Sequence, residues 1–139
     1  MIVAAIDQSE DAQDVIAEGT RLADAFDVPL HVIHAVDSTE FAQLQRAHVS
    51  STPEEADVLS RSEVARERAR ELVGEGGDDS LEVVGLDGEP ADSIVEYADE
   101  NDAQYVVLGG RDRSRAGKAL FGSVTQSVIL SLDRPVVVV

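Results

Sequence analysis

The amino-acid sequence predicts an α/β domain built on an open, five-stranded, doubly wound parallel sheet with helices on both faces. Three observations lead to this fold class. Five short apolar runs recur without alternating between apolar and polar positions, which is typical of strands covered on both faces. Segments with one apolar helical face separate them, as in right-handed crossovers. The length of 139 residues suits a single domain over residues 1–139, without a repeat or linker.

The first strand, the first helix and the second strand are the clearest elements. Residues 1–6 form a continuous apolar run. Ser9 is expected to cap a helix whose first turn carries two acids, as the helix dipole prefers. Apolar side chains then recur at helical spacing as far as Phe26. Pro29 marks the end of this helix, and residues 30–36 (LHVIHAV) predict the second strand.

The next part of the chain has weaker signals. Residues 37–51 are polar and have no clear period, so they predict a mobile connection with no more than one or two helical turns. Thr52-Pro53-Glu54-Glu55 is a strong helix start, because threonine can cap, proline suits the first helical position and Glu55 completes a capping box. We expect this helix to reach about Val73, followed by a turn over residues 74–80.

Three further strands and two helices complete the prediction. Residues 81–86 and 105–108 are the third and fourth strands, separated by a helix that begins after Gly88-Glu89-Pro90. Residues 120–132 predict the final helix, and residues 136–139 the fifth strand. Doubly wound sheets bind ligands beyond the carboxyl ends of their strands. We therefore expect a site in the loops that follow Ile6, Val36, Leu86 and Leu108.

The composition excludes several classes of protein. With 28 acidic and 11 basic residues the net charge is −17, which opposes general binding to a nucleic-acid backbone. The sequence has no cysteine, no apolar run long enough to span a membrane and no secretory leader, so a cytoplasmic protein is expected. Ten of the basic residues are arginine and only Lys118 is lysine. This balance indicates a halophilic cytosol, in which concentrated salt screens the carboxylates.

One loop is an exception to this acidity. Residues 1–110 carry a net charge of −20, whereas residues 111–139 carry +3, with four bases between positions 111 and 118. The loop is rich in glycine and leads into a helix, where backbone N–H groups and the dipole favour an anion. Gly122 would allow close approach of a phosphate, and Ser123 and Thr125 add hydroxyl donors. The alternative is a solvated basic loop with Ser123 as an ordinary N-cap.

The same loop resembles the nucleotide-binding loop of the universal stress proteins. In that family a glycine is followed after two residues by a second glycine and, nine residues later, by Gly-Ser or Gly-Thr. Gly109, Asp112 and Gly122-Ser123 occupy these positions here. Further likenesses extend over the whole chain, at Asp7 and Ser9, His34-Ala35-Val36-Asp37, Gly88-Glu89-Pro90-Ala91, Phe121-Gly122-Ser123-Val124-Thr125 and Arg134-Pro135-Val136-Val137-Val138-Val139. The resemblance implies a Rossmann-like fold of the adenine nucleotide alpha hydrolase type.

The resemblance also implies a function and a set of site residues. The protein would bind ATP or a related adenine nucleotide, with Mg²⁺, as a stress-response sensor or protective factor without catalytic activity. Asp7 would lie by the adenine, and the start of the final helix would hold the phosphates. The implied nucleotide-binding residues are Ala5, Ile6, Asp7, Ala35, Leu108, Gly109, Asp112, Gly122, Ser123, Val124 and Thr125.

The sequence departs from the family pattern at one motif position, and the resemblance also implies a dimer. Asp112 stands in place of the second motif glycine, and the neighbouring Arg111, Arg113 and Arg115 would compensate for its charge by contacting phosphate.

Members of the family commonly form homodimers. The fifth strand would otherwise be a free β edge, and antiparallel pairing across a two-fold axis would remove it. This dimer would form through Val136, Val137, Val138 and Val139, with no nucleic acid or membrane as a partner.

Three other functions compete with nucleotide binding. A structural or signalling dimer of the same family that has lost its nucleotide site is the main alternative, because Asp112 cannot adopt a positive φ as cheaply as glycine. A receiver domain shares the length, with Asp7, Asp11 and Asp87 as its acids, but lacks the lysine after the fifth strand. An adenylating enzyme would need a glycine-rich loop after the first strand, where this chain has no glycine.

Two residues near the expected site also have structural interpretations. Asp7 closes a buried strand and is alternatively a cap of the first helix, because aspartate is a preferred N-cap. His34 lies within an apolar strand, and we expect it to be a hydrogen-bonded core histidine rather than a metal ligand. His31 and His48 do not form a metal-binding motif with it. The sequence therefore predicts no metal centre made by side chains.

Overall fold

The computed structural model describes residues 1–51, 60–74, 81–110 and 121–139, except for the side chains of residues 48–51. Five strands and five helices lie within these ranges. The predicted sequence of alternating strands and helices is confirmed, with one additional helix between β2 and β3. In chain order the elements are β1 Ile2–Ala5, α1 Ala12–Phe26, β2 Leu30–Val36, α2 Ser38–Ser51, α3 Arg61–Val73, β3 Leu81–Asp87, α4 Pro90–Glu100, β4 Tyr105–Leu108, α5 Ser123–Ser131 and β5 Val136–Val138.

The five strands form one sheet in the order β3-β2-β1-β4-β5, and every neighbouring pair is parallel. Ile2 of β1 lies opposite Leu30 on one side and Tyr105 on the other. The chain therefore winds outward from β1 in one direction and then returns to add β4 and β5 in the other. This is the predicted doubly wound fold, and its switch point lies between β1 and β4.

The core has two layers, one on each face of the sheet. Alternate residues of β1 supply both: Ile2 and Ala4 pack toward α1 and α3, whereas Val3 and Ala5 pack toward α4 and α5. Three of these four side chains are completely buried, and Ala5 is 9% exposed. Because β1 is covered on both faces, its carboxyl end is held rigidly between the two layers.

The segment after β2 differs from the prediction. Residues 38–51 form a regular helix, α2, so the expectation of a mobile connection is wrong. No side chain among residues 38–47 is buried, which explains why this helix has no apolar period in the sequence. Its attachment to the rest of the molecule is instead mainly polar, and centres on Glu40.

The start of α3 also differs. Ser60 is the N-cap, with φ −61° and ψ 154°, and forms a capping box with Glu63. An uninterrupted helix from Thr52 to Val73 is therefore wrong, because the extended Ser60 ends any helix that precedes it. The predicted capping box at Thr52 and Glu55 lies outside the described residues. The sequence contained a second capping signal, and it is the one that starts α3.

Two further helix boundaries are shifted. Helix α1 begins at Ala12 with Asp11 as its N-cap and without a side-chain capping bond, so the expected cap at Ser9 is wrong. Helix α5 spans Ser123–Ser131, shorter than the predicted residues 120–132, of which position 120 is not described. In the described ranges, no helix is long and apolar enough to cross a membrane.

Candidate functional site

A pocket of about 310 Å³ lies at the switch point, beyond the carboxyl ends of β1, β2 and β4. Its size falls at the lower end of the range of small-molecule sites, about 300–1,000 Å³. The lining side chains come from these three strand ends, from the turn after β1 and from the first turns of α1, α2, α4 and α5. They are Ala5, Ile6, Asp7, Gln8, Ser9, Ala12, Val15, Ile33, His34, Ala35, Glu40, Pro90, Ile94, Leu108, Gly109, Val124 and Thr125.

Val124 and Thr125, in the first turn of α5, line one wall of the pocket, next to the N-terminus of this helix. Gly122 is the N-cap of this helix, with φ −60° and ψ 160°, and no described side chain caps it. The interpretation of Ser123 as an ordinary N-cap is therefore wrong. A Cβ built on Gly122 would meet no atom of the described residues within 4 Å, so these residues leave the space beside this backbone open. Uncapped N–H groups at a helix start attract anions.

The end of β4 is tied to this wall. The Thr125 hydroxyl donates a 2.7 Å hydrogen bond to the carbonyl of Gly109, and both residues line the pocket. At Gly109 a Cβ would lie 3.1 Å from the Cβ of Asp11, which is tighter than ordinary contact. At Gly110 a Cβ would collide with the Val138 side chain. The two glycines therefore allow the end of β4 to pass between α1 and β5.

Asp7 lies at the rim of the pocket. It is exposed, and its Oδ1 accepts a 2.9 Å hydrogen bond from the backbone N–H of Ser9. The interpretation of Asp7 as the N-cap of α1 is wrong, because Asp11 occupies that position. The turn closed by the hydrogen bond between Asp7 and Ser9 instead directs the chain away from β1, and it leaves the Asp7 carboxylate beside the opening of the pocket.

A polar cluster forms the opposite side of the pocket. His34 is 4% exposed; its Nδ1 lies 2.8 Å from the carbonyl of Ile6, and its Nε2 lies 3.0 and 3.1 Å from the two Glu40 oxygens. The prediction of a hydrogen-bonded core histidine is thus confirmed. Glu40 also accepts hydrogen bonds from Gln8 at 3.0 Å and Arg68 at 3.2 Å. This cluster joins α2 to β2, to the turn after β1 and to α3.

The structure brings together most of the residues that the sequence singled out. Eight of the eleven line the pocket: Ala5, Ile6, Asp7, Ala35, Leu108, Gly109, Val124 and Thr125. Gly122 and Ser123 lie at the start of α5, next to these residues, but do not line the pocket. Asp112, Arg111, Arg113 and Arg115 lie outside the described residues.

The sequence did not single out Gln8 or Glu40 as site residues. Glu40 lies in a polar segment without a period, and nothing local indicates that its carboxylate reaches a pocket. His34 was correctly assigned to the core, but its place in the pocket wall was not foreseen. Glu40 reaches Gln8 and His34 because α2 folds back toward the ends of β1 and β2, which only the tertiary structure reveals.

The receiver-domain alternative does not fit the sheet. Asp87 ends β3, and β2 lies between β3 and β1, so Asp87 is two strands away from Asp7. Its carboxylate lies 3.6 Å from the Arg61 guanidinium, on an edge of the sheet. Within the part of the chain that the structure describes, no group of three or more acidic or histidine side chains could hold a metal ion.

Known proteins share both the sequence pattern and the fold. The Universal stress protein family matches residues 1–139. Stress response protein NhaX of Bacillus subtilis (strain 168) is 26% identical over 161 residues, which cover 99% of this chain and 96% of that protein. The structure of a universal stress protein from Archaeoglobus fulgidus is 31% identical and has a TM-score of 0.62, with 99% and 96% of the two chains covered.

A second structure carries a ligand. It is the universal stress protein from Archaeoglobus fulgidus in complex with dAMP, 25% identical with a TM-score of 0.56, over 99% of this chain and 94% of that chain. The likeness to both structures extends over 99% of this chain. Since the family pattern matches the whole sequence, this chain belongs to the universal stress protein family.

Proposed function

We propose that this protein binds ATP or a related adenine nucleotide in the switch-point pocket and acts as a nucleotide-responsive sensor or protective factor, not as an enzyme. The observation that carries the proposal is the pocket itself, in which apolar strand ends face the uncapped start of α5. The dAMP complex of a relative from Archaeoglobus fulgidus supports the adenine nucleotide as the ligand class.

The residues divide naturally between the two parts of a nucleotide. Ile6, Ile33 and Ala35 provide apolar contact area for a base. The N–H groups at the start of α5, beside Gly122, would bind phosphate, and the hydroxyl of Ser123 would add a donor. Arg111, Arg113 and Arg115 would contact the more distant phosphates.

A magnesium ion would be carried mainly by the nucleotide. Mg²⁺ is often held by phosphate oxygens, water and only one or two carboxylates. That requirement agrees with the described residues, among which no ready-made cluster of metal ligands exists. We therefore expect ATP to bring its own metal and the chain to supply orientation and shape.

A charge placed at the start of α5 tests this proposal. Calorimetric titration in molar KCl should detect binding of ATP and of dAMP to the unaltered protein. Gly122→Glu should abolish ATP binding, since a carboxylate would occupy the phosphate position, but weaken adenosine binding less than about threefold. Ser127→Glu adds the same charge to an exposed position one turn along α5 and is the matched control. Absence of heat and of any thermal shift with ATP and dAMP would contradict the proposal.

The departure at Asp112 provides a separate test. If the unaltered protein bound no nucleotide but Asp112→Gly did, the family member would have lost its nucleotide site and would act as a structural or signalling dimer. If both proteins bound ATP, the arginines around Asp112 would compensate for its charge.

We further propose a homodimer formed through β5 and a location in a salt-rich cytoplasm. Among the described strands β5 pairs only with β4, and Val136–Val138 are partly exposed. Leu130, on the adjoining helix α5, is 87% exposed. An apolar strand at a free edge is a hazard unless it is paired. The acidic excess supports the salt-rich environment.

A further inference from the structure

Glu40 is held in an unusually well-defined position for a carboxylate on a surface helix. Its Oε1 accepts hydrogen bonds from Gln8 Nε2, His34 Nε2 and Arg68 Nε, at 3.0, 3.0 and 3.2 Å. The Glu40 side chain is only 14% exposed. The backbone N–H of Glu40 also donates to Asp37 Oδ1 at 2.8 Å, which fixes the first turn of α2. The carboxylate therefore has little freedom to turn away from the pocket.

His34 and Arg68 hold the Glu40 carboxylate from two sides. His34 Nδ1 lies 2.8 Å from the Ile6 carbonyl, and its Nε2 lies within 3.1 Å of both Glu40 oxygens. Arg68, on α3, donates from Nε to Glu40 Oε1 at 3.2 Å. The carboxylate is thus paired with a guanidinium on the α3 side and held against the histidine of β2.

The two oxygens of Glu40 are not equally occupied. Among the described residues, Oε1 takes three donors, whereas Oε2 takes only the 3.1 Å hydrogen bond from His34. A carboxylate has about four acceptor sites in all, and the single His34 Nε2 contact is shared between the two oxygens. Since Glu40 lines the pocket, Oε2 retains the capacity to accept a hydrogen bond from a ligand.

The charges of the pocket also give a ligand a direction. The anionic side chains that line it are Asp7 and Glu40, and the start of α5 contributes positive helix-dipole charge. A phosphate has only acceptor oxygens, so it would be bound by the N–H groups of α5 and would gain no hydrogen bond from the Glu40 carboxylate. The base of a nucleotide would consequently face Glu40, which offers it an acceptor and no donor of its own.

We propose that Glu40 is a specificity-determining residue of this pocket, which selects bases that present an amino group over bases that present a carbonyl at the same position. This inference rests on the proposed nucleotide function. An exocyclic amino group, as on adenine, would donate to Oε2. A carbonyl there, as on hypoxanthine, would face the negative charge and leave the oxygen without a partner, and sites built for a hydrogen bond reject such analogues strongly.

The test compares AMP with IMP, because the base of AMP carries an amino group at the position where the base of IMP carries a carbonyl. We expect the unaltered protein to bind AMP at least about tenfold more tightly than IMP in calorimetric titrations. In Glu40→Gln the side-chain amide can donate as well as accept, so the affinities for AMP and IMP should differ by less than about threefold. Glu71→Gln is the matched control, because Glu71 pairs with Arg68 at 3.1 Å on the exposed side, outside the pocket.

The outcomes separate this inference from the proposed function. Loss of the AMP preference in Glu40→Gln, with the preference retained in Glu71→Gln, supports it. An unchanged ratio, or an equal loss of affinity for AMP and IMP, overturns it, because Glu40 would then only hold α2 in place. Failure of the unaltered protein to bind any adenine nucleotide would overturn both proposals. If Glu40→Gln does not fold by circular dichroism, Glu40→Asp, which keeps the charge but shortens the reach, must show the reduced preference.

Discussion

The hydroxyl of Thr125 donates a 2.7 Å hydrogen bond to the carbonyl of Gly109, across sixteen residues of sequence. The Thr125 side chain is buried, at 6% exposed, whereas Gly109 is partly buried and lines the pocket. The bond joins the first turn of α5 to the end of β4, and both lie in the pocket wall. The hydroxyl of Thr125 therefore helps to hold these two parts of the wall together.

Thr125→Val should lower the free energy of unfolding by about 1 kcal/mol, because a side chain of similar shape cannot donate to the Gly109 carbonyl. Denaturant unfolding measures the change. Thr20→Val is the matched control: the Thr20 hydroxyl donates to Ile16 in α1, and a bond of this kind adds little to a helix. Equal losses in the two variants would show that the contact with Gly109 has no special importance.

Gly85→Ala should be among the most destabilising single-methyl additions in the chain. A Cβ at Gly85 in β3 would collide with the backbone of Ala65 and Arg66 in α3, and the backbone cannot yield as a side chain tip can. We expect a loss of about 3 kcal/mol or more in unfolding experiments. Gly122→Ala, which adds the same methyl group in open space, should cost less than about 1 kcal/mol. Similar losses would contradict the close packing of α3 on β3.

Tyr97 should titrate above the ordinary range of tyrosine. Burial raises the pKa of Tyr97, and the negative charge of Glu82 raises it further. A variant with Tyr105→Phe leaves Tyr97 as the only tyrosine, and its ultraviolet absorbance then reports the titration. Glu82→Gln should lower the midpoint while keeping it above the ordinary value, because burial is the larger cause. Glu18→Gln, on the helix that packs on the other face of the sheet, should not move it.

The same shift makes stability depend on pH. The folded chain holds the phenol proton more tightly than the unfolded chain, whose tyrosine pKa is about 10. The resulting stabilisation is complete below that pH and is lost as pH rises through the folded-state pKa. Tyr97→Phe should therefore reduce the alkaline decline in unfolding free energy. An unchanged decline would contradict the assignment.

Val138→Pro should produce a monomer that remains folded. The N–H of Val139 donates to the carbonyl of Leu108, and the N–H of Val106 donates to the carbonyl of Pro135. Because successive N–H groups along a strand point to opposite sides, the N–H of Val138 points away from β4, to the free edge. Light scattering should give the mass of two chains for the unaltered protein and of one chain for this variant. Val137→Pro is the control that removes a donor toward β4, and it should instead lower stability. If light scattering gave the mass of one chain for the unaltered protein, the proposal of a β5 dimer would be contradicted.

Stability should rise with salt. Raising KCl from 0.1 to 1 M shortens the Debye length from about 10 to about 3 Å, which screens repulsion among the 28 carboxylates. Thermal unfolding should move to higher temperature over this range. The double variant Asp14→Asn and Asp24→Asn removes two exposed acids from α1 and should weaken the dependence. A melting temperature independent of KCl would contradict the inferred halophilic adaptation.

The sequence predicted the sheet well because burial on both faces leaves a strong local signal. Strands β2 and β4 have the predicted bounds, since apolar runs such as Tyr105–Leu108 are bordered by polar or glycine residues. The prediction failed at α2, where no side chain of residues 38–47 is buried. A helix attached through hydrogen bonds to Glu40 has no hydrophobic period by which to recognise it.

The candidate site was predictable where it consists of strand ends and a helix start. Ala5, Leu108 and Thr125 were placed in it by their positions in the family that the chain resembles, and they line the pocket. Glu40 was not predictable, because its place depends on partners that are six to 32 residues away in sequence. Long-range polar clusters of this kind have no periodic signature.

The backbone of β5 reaches directly into the end of β4. Val139 donates to the carbonyl of Leu108 at 2.9 Å and accepts from the N–H of Gly110 at 3.3 Å, on either side of Gly109. A strand that pairs with β5 would therefore restrain the backbone of Leu108 and Gly109, which lines the pocket. Coupling between two binding events is reciprocal. Nucleotide should consequently change the dimerisation constant by the same factor by which dimerisation changes nucleotide affinity.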